Sequence, residues 1–125
     1  MKNLILTIAL LFNLYSFTQT KKCSEFKTGK FKYLEKNRIE KIVRTENLQI
    51  EINPKTGVEI HTKIKWKSDC EYVMTYEKIL NYSKDTSHVI GKKIFVEILE
   101  TDGNKMRVRA KSDTIDEEIL FLKIE

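Results

Sequence analysis

The chain has 125 residues, two cysteines, one proline and four glycines, and its formal net charge is +5. This length fits one domain with a single hydrophobic core. The low proline and glycine content, together with 41% hydrophobic residues, excludes a disordered or low-complexity chain.

The first 18 residues have the features of a secretory signal peptide. Lys2 supplies a basic start, Leu4 to Phe12 form an apolar run, and small residues at Ser16 and Thr18 suit a cleavage site. The apolar run is shorter than the roughly 20 residues that a membrane span requires. The sequence therefore predicts a signal helix at 1–18 and an exported domain at 19–125. That domain is expected in the periplasm or outside the cell, with no membrane span after cleavage.

Two cysteines, Cys23 and Cys70, lie in the predicted exported domain. An even number of cysteines in an oxidising compartment predicts a disulfide between them. A metal site or redox pair is disfavoured, because there is no Cys-x-x-Cys and only His61 and His88 could add ligands. We therefore expect a disulfide, no metal and no cofactor.

Most of the remaining chain alternates apolar and polar residues with a period of two, which indicates β-strands with one buried face. Turn residues separate these segments at roughly eight to twelve residues, a spacing typical of all-β domains. The pattern predicts an all-β antiparallel meander of about eight short strands that closes into a small barrel, because closure removes exposed edges. A sandwich is the alternative. The predicted strands, given by their apolar positions or by their bounds, are in chain order Phe31 and Tyr33; Ile39 to Arg44; Leu48, Ile50 and Ile52; Val58 to Trp66; Cys70 to Tyr76; Ile94, Val96 and Ile98; Met106, Val108 and Ala110; and Glu118 to Ile124.

The central hairpin contains the only Trp, Trp66, and one of the two cysteines. A two-residue turn at Ser68-Asp69 would mix its apolar and polar faces. A three-residue connection, 67–69, keeps the faces apart by pairing Trp66 with Cys70 and Ile64 with Tyr72. The sequence therefore predicts the longer connection.

Two segments carry a family resemblance. Cys23–Tyr33 reads CSEFKTGKFKY and Ile64–Tyr76 reads IKWKSDCEYVMTY. Both resemble a family of small exported proteins from flavobacteria and their relatives. The resemblance implies export and a single small domain, and it implies no activity, because none is established for the family. Members are sometimes labelled as a DNA topoisomerase IV subunit, but this chain is too short for such an enzyme and shows no nucleotide or DNA-cleavage motif.

A looser resemblance concerns topology. The segment Thr28-Gly29-Lys30-Phe31 is similar to the Gly-x-Trp opening of lipocalins, with Phe31 in the place of the Trp. The predicted barrel is therefore lipocalin-like in the order of its strands. Shared topology does not fix function.

The sequence offers no clear catalytic set. Ser68-Asp69 lies on a predicted turn, where these residue types commonly serve as turn formers. Several glutamates fall at positions that the alternation places on the solvent face, where a solvated charge is the simpler interpretation. We therefore expect no enzyme and no catalytic residue. These glutamates are Glu51, Glu71, Glu77 and Glu97.

Two basic stripes follow predicted strands and could meet a polyanion. They lack the interleaved aromatic residues that favour nucleic-acid binding, and acidic neighbours offset their charge. Lysine on an outward strand face also limits aggregation. The sequence favours this second role, and no nucleic-acid partner is expected. The stripes are His61-Lys63-Lys65-Lys67 and Lys105-Arg107-Arg109-Lys111.

A cluster of aromatic residues and one arginine form the candidate site. They could line a ligand site at the barrel mouth or belong to the core, with the arginine stacking on Trp66 or closing the barrel floor. The expected function is non-catalytic binding of a small apolar molecule or an envelope component. The alternative is a structural or protein-interaction domain with a filled barrel and no ligand. The candidate residues are Phe31, Tyr33, Arg44, Trp66, Tyr72 and Tyr76.

Overall fold

The computed structural model describes residues 21–125, and the predicted signal peptide at 1–18 lies outside this range. The described chain forms eight antiparallel strands that close into a barrel, which confirms the predicted fold class. Its helical content is one 3₁₀ turn before the first strand, and no described helix has the length and apolar character needed to cross a bilayer. The strands are β1 Gly29–Tyr33, β2 Lys41–Arg44, β3 Leu48–Ile52, β4 Glu59–Ser68, β5 Glu71–Leu80, β6 Lys93–Asp102, β7 Lys105–Lys111 and β8 Asp116–Lys123.

Each strand pairs with the next along the chain, and β1 pairs with β8 to close the barrel. Alternate side chains therefore point into the lumen, as strand geometry requires. Burial of their apolar side chains is the main force that holds the barrel together. The fully buried core includes Phe31, Ile42, Tyr72, Ile98, Met106 and Val108.

One end of the barrel, here called the closed end, is covered by the 3₁₀ turn at Cys23–Phe26. The Phe26 side chain is 1% exposed and joins the core below it. Cys23 forms a disulfide with Cys70 in the turn between β4 and β5, which confirms the predicted bridge. The closed end is therefore fixed by a covalent bond and an aromatic plug. We call the opposite end, which carries the loop between β1 and β2, the open end.

The predicted register of the central hairpin is wrong by two residues. Trp66 pairs with Tyr72 rather than with Cys70, and Ser68 pairs with Glu71 across the two-residue turn Asp69-Cys70. A bulge between Trp66 and Ser68 takes up the remaining residue. Two-residue turns suit the strand twist, and a bulge restores the alternation of faces. Because the shift is even, Trp66 and Tyr72 share a face as expected.

The β1–β8 seam is short and begins at a constrained glycine. Gly29 has φ of 128°, and a Cβ atom there would lie 2.5 Å from the carbonyl oxygen of Glu125. Only glycine combines this backbone conformation with such a close approach. Across the seam, Phe31, Lys32 and Tyr33 pair with β8.

Candidate functional site

A cavity of about 180 Å³ occupies the lumen between the closed-end core and the open end. Its wall is a mixture of apolar, aromatic and charged side chains from the strands, from the loop between β1 and β2, and from the loop between β7 and β8. The polar members are Tyr33, Arg38, Arg44, Gln49, Glu51, Thr62, Tyr72, Tyr76 and Glu117, and the apolar ones include Ile60, Met74, Ile94, Val96, Val108, Ala110, Ile115, Ile119 and Phe121.

The structure divides the six sequence-predicted site residues into two groups. Tyr33, Arg44, Tyr72 and Tyr76 line the cavity. The other two do not: Phe31 is buried in the core below the cavity, and Trp66 is half-buried and packs against that core near the turn between β4 and β5. The candidate cluster is therefore a lumen group of four residues and two neighbours that support it.

Arg44 ends β2 and lies almost completely buried, with 3% of its surface exposed. Its guanidinium donates from Nε and Nη2 to Gln49 Oε1, at 3.1 and 2.6 Å. Nη1 donates to the Phe26 carbonyl at 3.1 Å, and Nη2 also donates to Tyr72 Oη at 3.1 Å. These bonds tie the cavity floor to the plug of the closed end. They also offset part of the cost of burying the charge.

The aromatic partners of Arg44 differ from one of the two expectations. Its Cζ atom lies 5.1 Å from the Phe31 ring centroid and 4.9 Å from that of Tyr72. Trp66 is covered by another cation, with Lys27 Nζ 5.1 Å from its ring. Arg44 therefore stacks between Phe31 and Tyr72 at the floor of the cavity rather than on Trp66.

Glu51 was expected on the solvent face, and that prediction is wrong. It pairs with inward-facing Ile42 of β2, and its side chain lines the cavity. Cross-strand partners share a face, so the buried side of β2 fixes the direction of β3. Gln49 is turned inward in the same way, opposite Arg44. The polar side of β3 therefore faces the lumen, and the apolar side lies outward and half-buried.

The Glu51 carboxylate accepts a short hydrogen bond from the Tyr33 hydroxyl. Burial raises the pKa of Glu51 above its usual value, and the nearby Glu40 carboxylate acts in the same direction. The Tyr33 bond and the positive charge of Arg38 act the other way, without reversing the shift. Burial also raises the pKa of Tyr33 and of Tyr76, with Glu51 adding to both shifts. Both hydroxyls therefore keep their protons at neutral pH.

Arg38, in the loop between β1 and β2, stands at the mouth of the cavity. Its Cζ atom lies 4.8 Å from the Tyr33 ring centroid, and Nη2 donates to Glu117 Oε1 at 3.1 Å. At the mouth, the Arg38 guanidinium therefore stacks on Tyr33 and pairs with the carboxylate of Glu117 on β8. Sequence reasoning missed this contact, because the loop gives no periodic pattern from which a direction could be read.

Replacing Glu51 with glutamine is expected to raise the free energy of unfolding near pH 8 by roughly 0.5–2 kcal/mol, the gain common for a single stabilising substitution. Because the pKa of Glu51 is raised, the folded state binds its proton more tightly than the unfolded chain. That stabilisation is complete below the unfolded pKa and is lost as pH rises through the folded one. Glutamine avoids the loss and still accepts a hydrogen bond from Tyr33.

Urea unfolding of both proteins at about pH 4 and pH 8 tests this sign. The advantage of Glu51→Gln should be largest at pH 8 and should disappear at pH 4. Glu97→Gln, on the exposed face of β6, is the matched control and should show no such dependence. A Glu51→Gln protein less stable than the wild type at pH 8 would contradict the assignment.

The two basic stripes have different structures. On β7, Arg107 bonds to Glu100 and Glu118, and Arg109 forms a paired contact with Asp116. On β4 the predicted stripe is wrong at its first member. His61 is buried, beside a bulge, with Nε2 3.4 Å from Glu59 Oε1. The extra residue of the bulge lies on β5, so β4 keeps its alternation: Thr62 faces the lumen opposite Gln49, and His61 faces outward opposite half-buried Ile50. His61 is therefore a covered position on the outer face, which alternation alone does not reveal.

Within residues 21–125, no group of three or more histidine, cysteine, aspartate or glutamate side chains is arranged to hold a metal ion. Comparison of the chain with protein-family models, with curated proteins and with solved structures finds no significant match. The site is therefore interpreted from its own residues.

Proposed function

We propose that the chain is an exported, non-catalytic binding protein that takes a small apolar molecule or an envelope component into its barrel. The observation that carries this proposal is the cavity of about 180 Å³ behind the open end. An engineered cavity of about 150 Å³ is large enough to bind benzene. A ligand with one aromatic ring or a short branched chain therefore matches the volume.

The two ends of the barrel support a binding role. The closed end is fixed by the Cys23–Cys70 bridge and by Phe26, so the lumen has a rigid floor. Small antiparallel barrels of eight strands, as in lipocalins, can hold one small ligand. The lipocalin-like interpretation and the predicted signal peptide at 1–18 agree with a carrier that works outside the cytoplasm, where disulfides persist.

Methyl groups of methionine provide a direct test of the lumen. The predicted mature chain has two methionines, Met74 in the cavity wall and Met106 in the core outside it. We expect benzyl alcohol, added to the disulfide-bonded protein, to shift the Met74 methyl signal in a ¹³C NMR spectrum. The Met106 signal should stay nearly constant.

A pair of variants separates binding in the lumen from binding elsewhere. Ala110→Leu adds bulk to the cavity wall and should abolish the Met74 shift. Leu120→Ala, on the outer face of β8 with 43% exposure, should leave it unchanged. If no shift occurs in the wild-type protein with this or a charged ring compound, the filled-barrel alternative is favoured.

That alternative, a structural or protein-interaction domain, is supported by apolar side chains on the outer surface. Val43, Phe95, Leu120 and Ile124 are each at least 39% exposed. They lie on different strands or beyond β8, and single exposed apolar residues are common on soluble proteins. The cavity therefore gives the stronger argument.

A further inference from the structure

Two carboxylates line the cavity, and their partners differ. Glu117 forms an ion pair with Arg38 at 3.1 Å. Glu51 accepts the hydrogen bond of Tyr33 but, within residues 21–125, forms no ion pair within 4.0 Å. A largely buried carboxylate without a cation is costly, and such groups are concentrated at functional sites. Glu51 is thus the unbalanced charge of the lumen.

The cation at the floor is balanced by its hydrogen bonds instead. The Arg44 guanidinium makes four bonds to oxygens of Gln49, Phe26 and Tyr72. An anionic ligand would have to displace these protein acceptors in order to reach it. A cationic ligand at Glu51 displaces no basic side chain, because none pairs with that carboxylate in the described range. The lumen therefore favours a positive group.

We propose that the cavity binds a small primary amine with an apolar body, whose ammonium group lies on the Glu51 carboxylate. This inference rests on the proposed binding function and specifies its ligand class. The volume limits the body to about the size of one aromatic ring. Apolar side chains such as Met74, Ile94 and Val108 form the walls around it.

The hydroxyl groups beside Glu51 suit this ligand. Tyr33 donates to one carboxylate oxygen and holds the group in place. Tyr76 lines the same cavity, and its aromatic ring offers a second favourable neighbour for a cation. An ammonium ion supplies three donors, of which one can meet the carboxylate and another can meet a hydroxyl oxygen.

Three ring compounds of nearly equal size test the charge preference: benzylamine, benzyl alcohol and benzoate. Their affinities for the disulfide-bonded wild-type protein are measured near pH 7.5 from the Met74 methyl shift. We expect benzylamine to bind at least about tenfold more tightly than benzyl alcohol, the scale of one charge-assisted hydrogen bond. Benzoate should bind most weakly, because its carboxylate would meet that of Glu51, which forms no ion pair in the described part of the chain. Arg38 is already paired with Glu117, and Arg44 with its own acceptors.

The variant Glu51→Gln keeps the shape of the site and removes its charge. It should abolish the preference for benzylamine while benzyl alcohol still binds as it does to the wild type. The control Glu97→Gln should keep the preference. Lowering the pH to about 4 should weaken benzylamine binding to the wild type, because Glu51 then takes up a proton and loses its negative charge. The charged and titratable groups close to Glu51 are Arg38, Glu40, Tyr33 and Tyr76.

The outcomes distinguish this inference from the function on which it rests. Equal affinity for benzylamine and benzyl alcohol would overturn the amine proposal and leave the binding function standing. A preference for benzoate, or a preference for benzylamine that survives Glu51→Gln, would also overturn it. A Met74 signal that responds to none of the three compounds would overturn both.

Discussion

Removal of the Cys23–Cys70 disulfide is expected to lower the free energy of unfolding by about 4 kcal/mol. The two cysteines are 47 residues apart, so the bridge closes a long loop and restricts the unfolded chain strongly. It also holds the 3₁₀ turn, and with it Phe26, over the closed end. For a domain of this size the loss is a large part of the usual stability of about 5–15 kcal/mol.

The measurement compares urea unfolding of the oxidised wild type with the double variant Cys23→Ala, Cys70→Ala. Adding a reductant to the wild type should reproduce the loss, whereas the double variant should not respond to it. A midpoint that reductant leaves unchanged, although a mass measurement shows the thiols reduced, would contradict this role of the bridge.

Arg44→Ala is expected to cost roughly 3–5 kcal/mol, because it leaves buried acceptors without donors and opens a larger void. The Phe26 carbonyl and Gln49 Oε1 lose their partner at once. Arg44→Lys should recover part of this loss only, since lysine lacks the planar fork that reaches Gln49, Phe26 and Tyr72 together. Thermal or urea unfolding gives the order of the three proteins.

Arg109 provides a matched control for the loss of an arginine. It makes two bonds to Asp116, but on the exposed outer face of β7. Exposed ion pairs contribute little to stability, so Arg109→Ala should unfold close to the wild type. If Arg44→Ala were equally mild, the buried network at the floor would not be a source of stability.

The fold could be predicted from the sequence because side-chain alternation is local. Both strands of the central hairpin keep the predicted inward face, with Ile64, Trp66 and Tyr72 on it. The exact pairing could not be predicted, because an even shift between two strands leaves that alternation unchanged. Only the position of the bulge beside Lys67 selects the observed register.

The candidate site could be predicted in part. Tyr33, Arg44, Tyr72 and Tyr76 were found by their residue types, whereas Gln49 and Glu51 were missed. In β3 the apolar residues alternate as regularly as the polar ones, so periodicity alone favours the wrong face. The direction depends on Ile42 and Arg44 of the neighbouring strand, which is information about pairing rather than about one segment.

The β1–β8 seam differs from the other strand pairs in the length of chain that must be closed to form it. Seven of its eight strand pairs join neighbours along the chain, and the seam alone joins the two most distant strands. Each neighbouring pair closes a loop of at most 12 residues, the longest being 81–92, whose entropic cost is small, but the seam must bring Phe31 and Lys123 together across the whole domain. Most strand contacts therefore join residues that are close in sequence, and among the strand pairs only the seam joins residues far apart in the chain. Closure of the ring, rather than formation of any hairpin, is the step at which long-range search enters the folding of this chain.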